Sequence, residues 1–209
     1  NAEGRTPAAM AVTLDLGDRV DTSKYQPIEV LGHGGFGKVV KALDLEQSTG
    51  EQPVYVAIKL LEPKRQQDKA RAERVFANAH ARMARENKAH RAVNQTKRKP
   101  YHFPAHYHSD GFADSAPKES HIIMEYVQGV TLAQLLKERS VLPVEQALEI
   151  TYELAEALSV LHKAGYAHRD VKPHNVIIRT ESDPEGSGYR FKRDEETNRP
   201  QVTLLDMGL

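Results

Sequence analysis

An Asp, a Lys and an Asn stand close together in the octapeptide His168-Arg169-Asp170-Val171-Lys172-Pro173-His174-Asn175. These residue types suit transfer of a phosphoryl group to a hydroxyl. Such a transfer needs little covalent help from protein; it needs an oriented nucleophile, neutralised charge and metal ions. Asp170 can accept the hydroxyl proton, and Lys172 can stabilise the charge on the transferred group. Asn175 offers a hard oxygen to Mg²⁺. Beyond a second apolar run, Val202-Thr203-Leu204-Leu205, Asp206 supplies a carboxylate for the same metal.

Upstream lies Leu31-Gly32-His33-Gly34-Gly35-Phe36-Gly37-Lys38-Val39. Glycines at Gly32, Gly34 and Gly37 let a strand-turn-strand fold closely over a polyphosphate, because no Cβ blocks the backbone amides. Alone, this pattern is weak. A dinucleotide fingerprint would open into a helix, whereas the residues after Gly37 are strand-like; a purely structural glycine turn remains open. Lys59 ends the apolar run Val56-Ala57-Ile58-Lys59. By itself it reads as an ordinary strand-end Lys, but behind a glycine loop it can reach nucleotide phosphates.

The elements that must position these groups follow from periodicity. Residues 1–24 mix small and polar types and read as an N-terminal extension, mobile or loosely packed. Short β-rich runs follow at 28–31, 39–42, 54–58 and 122–127, separated by turn residues. Residues 65–93 read as one long helix rich in Ala, Arg, Glu and Lys. At ~100° per residue, Ala72, Val75, Phe76, Ala79, Met83 and Val93 share a stripe that also contains Glu86 and His90 but excludes Glu73. A charged residue on an apolar stripe requires a partner. Gln95–Lys118 reads as loop-rich. Helices are expected over Thr131–Arg139, with Thr131 as N-cap, and over Pro143–Ala164, with Gly165 ending the second. Val176–Ile178 and 202–205 read as strands joined by a polar, flexible hairpin over Thr180–Arg199.

Together these motifs resemble the protein kinase family, from about Tyr25 to Leu209, and most nearly its bacterial-type Ser/Thr members. The resemblance implies an α+β, two-lobed fold. Residues 25–127 would form a lobe of five antiparallel strands and one long helix, ending in a hinge strand; residues 128–209 would form a partial, mostly helical lobe. It implies ATP and Mg²⁺ as cofactors and Ser/Thr hydroxyls of proteins as substrates. Asp170 then stands as catalytic base, Lys172 beside it in the Ser/Thr pattern, Asn175 and Asp206 as metal ligands, and Lys59 on the α/β-phosphates. Met124 would be the gatekeeper. The backbone of Glu125 and Val127 would meet adenine, with Val39, Ala57 and Ile177 sandwiching the ring. Thr131 falls where many relatives place an acidic ribose contact.

The family pairs the strand Lys with a helix Glu; Glu86 is the expected partner and Glu73 the rival. Met207 replaces the usual Phe of Asp-Phe-Gly and can still pack beneath the helix. The sequence stops at Leu209, before the activation segment and late helices of such domains, as a fragment or a reduced kinase would. An ATP-binding pseudokinase or scaffold is therefore the alternative function, and a small-molecule phosphotransferase a third.

The 209 residues are enough for a real core and carry no net charge. From Lys64 to Lys99, however, twelve Lys/Arg face three acids. A solvated helix face is the simpler account of that excess; a docking surface for an acidic or phosphorylated partner is the functional one. There is no cysteine, which excludes disulfides and thiolate chemistry. The lack of cysteine fits a cytoplasmic home best, and no apolar stretch is long enough to span a membrane. Nothing signals nucleic-acid binding. His102, His106 and His108 cluster in the loop-rich stretch, with His121 further on. They read as surface loop histidines, with a metal site as the alternative.

Overall fold

The computed structural model describes residues 14, 16, 20–33, 37–62, 68–96, 99–112, 120–183 and 188–207. A small lobe is built on a five-stranded antiparallel sheet in the order β1-β2-β3-β5-β4. Its strands are β1 (Tyr25–His33), β2 (Gly37–Asp44), β3 (Tyr55–Leu61), β4 (His106–Asp110) and β5 (His121–Glu125). One helix, α1 (Lys69–Asn94), crosses between β3 and β4. Its N-cap is Asp68, whose Oδ1 accepts from Arg71 N–H at 2.6 Å. The predicted helix began four residues earlier; residues 63–67 lie outside the described set. Its buried face carries Ala79, Met83, Glu86, His90 and Val93, while Glu73 is exposed.

β4 corrects the loop-rich reading of Gln95–Lys118. Its sequence, His-Tyr-His-Ser-Asp, lacks strand-forming aliphatics. As an edge strand it is paired only to β5, and that pairing holds it in the sheet. The N-terminal extension is also corrected in part. Leu16 and Val20 are buried with Val40, Ala42, Val56, Ile58 and Ile123, so apolar burial anchors these two residues on the sheet, while residues 1–13, 15 and 17–19 lie outside the described set.

The second lobe begins with β6 (Gly129–Thr131) and α2 (Leu132–Arg139). Thr131 caps α2 in a reciprocal box. Its Oγ1 accepts from Gln134 N–H at 3.1 Å, and its own N–H donates to Gln134 Oε1 at 2.9 Å. α3 (Val144–Lys163) follows, and Gly165 turns the chain out of it at φ 86°. Then come a 3₁₀ turn over Pro173–Asn175 and the strands β7 (Val176–Ser182), β8 (Tyr189–Phe191) and β9 (Val202–Leu204). β7 lies between β6 and β9 and also pairs β8, so the polar stretch does form a hairpin. One core cluster crosses the lobes: Ala89 and Val93 of α1 pack with Phe103, Leu161, Ile178, Leu204 and the fully buried Met207.

Gly129 holds β6 against β7 by having no side chain. A Cβ there would meet Ile178 O at 2.3 Å and Ile177 Cγ2 at 2.6 Å, whereas one on Gly50 meets nothing within 4 Å. Gly129→Ala is therefore expected to destabilise the fold by about 1–3 kcal/mol through overpacking, and Gly50→Ala by less than about 0.5 kcal/mol. Urea unfolding of both variants measures the difference; equal midpoints would contradict the packing account.

Candidate active site

Lys59 is the half-buried position of β3 between the buried Ile58 and Leu60, and its ammonium meets carboxylates of two other elements. Lys59 Nζ donates to Glu86 Oε1 and Oε2, each at 2.7 Å, and to Asp206 Oδ1 at 2.7 Å. Glu86, not Glu73, is thus the carboxylate facing the strand. Its side chain is only 9% exposed, so the apolar stripe of α1 has delivered a charge that must be paired. Burial works against the Lys59 ammonium, but the attraction of Glu86 and Asp206 outweighs it, and its pKa is raised. Burial pushes the Glu86 carboxyl up, with Lys59 opposing. Lys59 holds the Asp206 carboxyl below its ordinary range.

Asp206 reaches Lys59 because β9 delivers it there and the backbone then turns sharply: its φ is 57°, left-handed for a non-glycine residue. Arg169 has φ 63°. Between these two turns, His168 is buried and bonded at both ring nitrogens. Nε2 donates to Leu205 O at 2.7 Å and Nδ1 accepts from Asp170 N–H at 3.3 Å. Leu205 N–H donates in turn to Asn175 O at 2.8 Å. The 168–175 octapeptide and the Asp206 turn are therefore laced together by the His168 side chain and by a backbone bond.

Asp170 Oδ2 accepts from Lys172 Nζ at 2.6 Å and from Asn175 Nδ2 at 3.0 Å. The hydrogen bond from Lys172 is the main reason its carboxyl lies below its ordinary value. Asn175 Nδ2 also donates to Asp170 O at 2.9 Å. Both amide hydrogens are spent on Asp170, which turns the Asn175 carbonyl oxygen away from it. That oxygen and the half-exposed Asp206 carboxylate are hard donors, with no sulfur or imidazole between them. This set fits Mg²⁺ better than a transition metal.

Around this polar core, Ala57 and Met124 are register partners on β3 and β5, both buried, with the half-buried Val39 packed against the same cluster. Val127 is buried, and Ile177 on β7 is half-buried. Glu125 N–H is taken by Ala105 O at 2.8 Å, so a base could meet Glu125 only through its carbonyl. Thr131 Oγ1 is committed to the α2 cap. Gly37 fits where β2 abuts β3, a Cβ there lying 2.1 Å from Leu60 O. Gly32 lies on β1, with open space beside it; Gly34 lies outside the described residues.

The histidine cluster does not converge. His106 Nε2 meets Asn87 Oδ1 at 3.0 Å, while His108 lies against His121. His102, expected at the surface, is 2% exposed and sits 3.1 Å from the fully buried Glu153 of α3. Glu153 and Glu156 converge beside it, but the cation between them is Lys99, at 3.0 and 2.9 Å. Sequence reasoning missed Glu153, although a signal existed: it falls on the buried stripe Ile150, Ala157 and Leu161, as Glu86 does on α1. It also missed Arg179 of β7, which is bidentate on Glu125; no local pattern marks that pair.

The chain resembles a probable serine/threonine-protein kinase of Clostridium perfringens, 32% identical over 161 residues, covering 76% of this chain and 20% of that protein. It also resembles the serine/threonine-protein kinase PknB of Mycobacterium leprae, 30% identical over 157 residues, covering 75% of this chain and 22% of that one. The chain thus spans about a fifth of the length of the curated relatives it matches. In fold it is similar to the crystal structure of the Mycobacterium tuberculosis PknI kinase domain, with TM-score 0.56 and 23% identity, covering 93% of this chain and 63% of that one. The model of the protein kinase domain matches residues 25–208, the stretch that holds both lobes and the laced polar centre, and the chain belongs to that family.

Proposed function

We propose that this chain is the ATP-binding and catalytic part of a protein Ser/Thr kinase. The observation that carries the reading is the Lys59 ammonium, held 2.7 Å from carboxylates of two separate elements, Glu86 and Asp206. A cation fixed in this way is pre-organised for phosphate oxygens. Lys59 would bind the α/β-phosphates, and Glu86 would aim it. The apolar surfaces of Val39, Ala57, Met124 and Ile177 would hold the adenine ring, beside the backbone of Glu125 and Val127.

In the transfer step the substrate hydroxyl oxygen forms a bond to the γ-phosphorus while the bond from that phosphorus to the ADP oxygen breaks. Asp170 orients the hydroxyl and takes its proton. Lys172, already on Asp170, is placed to follow the charge onto the transferred group. Asn175 and Asp206 would hold Mg²⁺, which when bound supplies neutralisation of phosphate charge. Among the described residues no helix is long and apolar enough to cross a membrane. The outward face of α1 exposes Arg71, Arg74, Arg85, Lys88 and Arg91, which suits an acidic or phosphorylated partner.

ATP with Mg²⁺ should raise the melting temperature of the folded protein, because a ligand of the native state stabilises it by mass action. Lys59→Ala and Glu86→Gln should each shrink that shift, and the exposed Glu73→Gln should leave it unchanged. Equal shifts in Glu86→Gln and Glu73→Gln would remove Glu86 from the site.

In the full-length protein, Asp170→Asn should lower phosphoryl transfer by about 10²–10⁴-fold while ATP binding stays near wild type. Radiolabel transfer to a generic basic protein, alongside ATP titration, measures both. Wild-type transfer rates in the variant would rule out the base.

A further inference from the structure

Arg179 touches none of the reacting groups, yet it stands where the two lobes join. Its side chain is 14% exposed. Nη1 donates to Glu125 Oε1 and Nη2 to Glu125 Oε2, the latter at 3.0 Å, fork on fork. Nε donates to Thr203 Oγ1 at 2.9 Å, and that fully buried hydroxyl donates onward to Tyr101 O at 2.6 Å. Glu125 Oε2 also accepts from Ala105 N–H at 3.2 Å. One guanidinium therefore joins the end of β5, β9 and the loop before β4.

The chain between the lobes runs from Glu125 to Gly129, and β7 holds it at both ends. At the far end Gly129 is the register partner of Arg179, and Thr180 N–H donates to Gln128 O at 3.3 Å. At the near end the Arg179 side chain ties Glu125 to β7. Tyr126 and Val127 lie between these two anchors. A lysine could not reproduce the near anchor: a single ammonium cannot direct three coplanar donors to two partners. Removing the guanidinium leaves the Glu125 carboxylate partly buried without its cation.

We propose that Arg179 is a positioning residue for the nucleotide: it fixes the direction of the 125–128 segment, and with it the backbone groups that would meet the base, before any ligand arrives. This rests on the ATP reading above. The test uses the full-length protein, wild type against Arg179→Leu, Arg179→Lys and Thr203→Val. Hydrogen–deuterium exchange without nucleotide comes first. Arg179→Leu should speed exchange at Tyr126, Val127 and Gln128 by about tenfold, with Thr203→Val and Arg179→Lys between it and wild type, and with the amides of α3 unchanged. ATP affinity should then fall by about tenfold, with the loss in KM for ATP and not in kcat.

Unchanged exchange at 126–128 in folded Arg179→Leu overturns the proposal, as does a fall in kcat at constant KM. Should wild type bind no ATP, the nucleotide reading fails and the positioning role with it, while altered exchange would still establish the clamp. Should Arg179→Leu not fold, Thr203→Val decides: unchanged exchange and unchanged KM there overturn the proposal.

Discussion

A single ammonium group organises the structure. Lys59 joins the sheet, through β3, to the long helix, through Glu86, and to the large lobe, through Asp206. The buried Glu86 carboxylate would be costly where it sits without that cation, and the largely buried cation would be costly without its carboxylates. The pairing is therefore mutual, and it ties the sheet, α1 and the turn after β9 to one another. The rest of the small lobe serves this meeting. The stripe of α1 that buries Ala79, Met83 and Val93 sets the rotation that presents Glu86. The register of β3 against β5 sets the height of Lys59.

Below it, one side chain and the backbone share the work. The hydrogen bonds from His168 Nε2 to Leu205 O and from Leu205 N–H to Asn175 O tie the 168–175 loop to the turn that carries Asp206. Two left-handed non-glycine residues, Arg169 and Asp206, flank this lacing. Such conformations cost of order 1–3 kcal/mol each and persist where surroundings dictate them. Here the surroundings are Met207, fully buried under α1, and the strands β7 and β9.

Much of this was legible in the sequence because it depends on local period or fixed spacing. The phase of α1 was enough to choose Glu86 over Glu73 as the residue facing Lys59. The Thr131 cap and the ends of α2 and α3 follow from short-range rules, whereas the Met207 packing was expected from the family resemblance. What was not legible is long-range. β4 is polar, and only its neighbour β5 makes it a strand. Leu16 and Val20 find their partners across the sheet, not in their own segment. His102 reads as a surface residue until α3 brings Glu153 against it, with Lys99, Tyr101 and Arg199 around the same carboxylate. The bidentate Arg179–Glu125 pair likewise joins residues that no periodicity relates.

The loop over 99–105 has a mechanical consequence. In sequence it lies between two small-lobe elements, and Ala105 bonds Glu125 of β5, but most of its contacts reach the other lobe: Phe103 to the cluster shared by both lobes, His102 O to Leu204 N–H, Tyr101 O to Thr203 and Lys99 to Glu153. The small lobe is therefore held to the large one through this loop and the 125–128 segment as well as through the Lys59–Asp206 pair and the shared core cluster. The chain enters the edge strand β4 from a point pinned on β9 and α3, so the outer side of the small-lobe sheet is tethered to the large lobe by its own sequence neighbour.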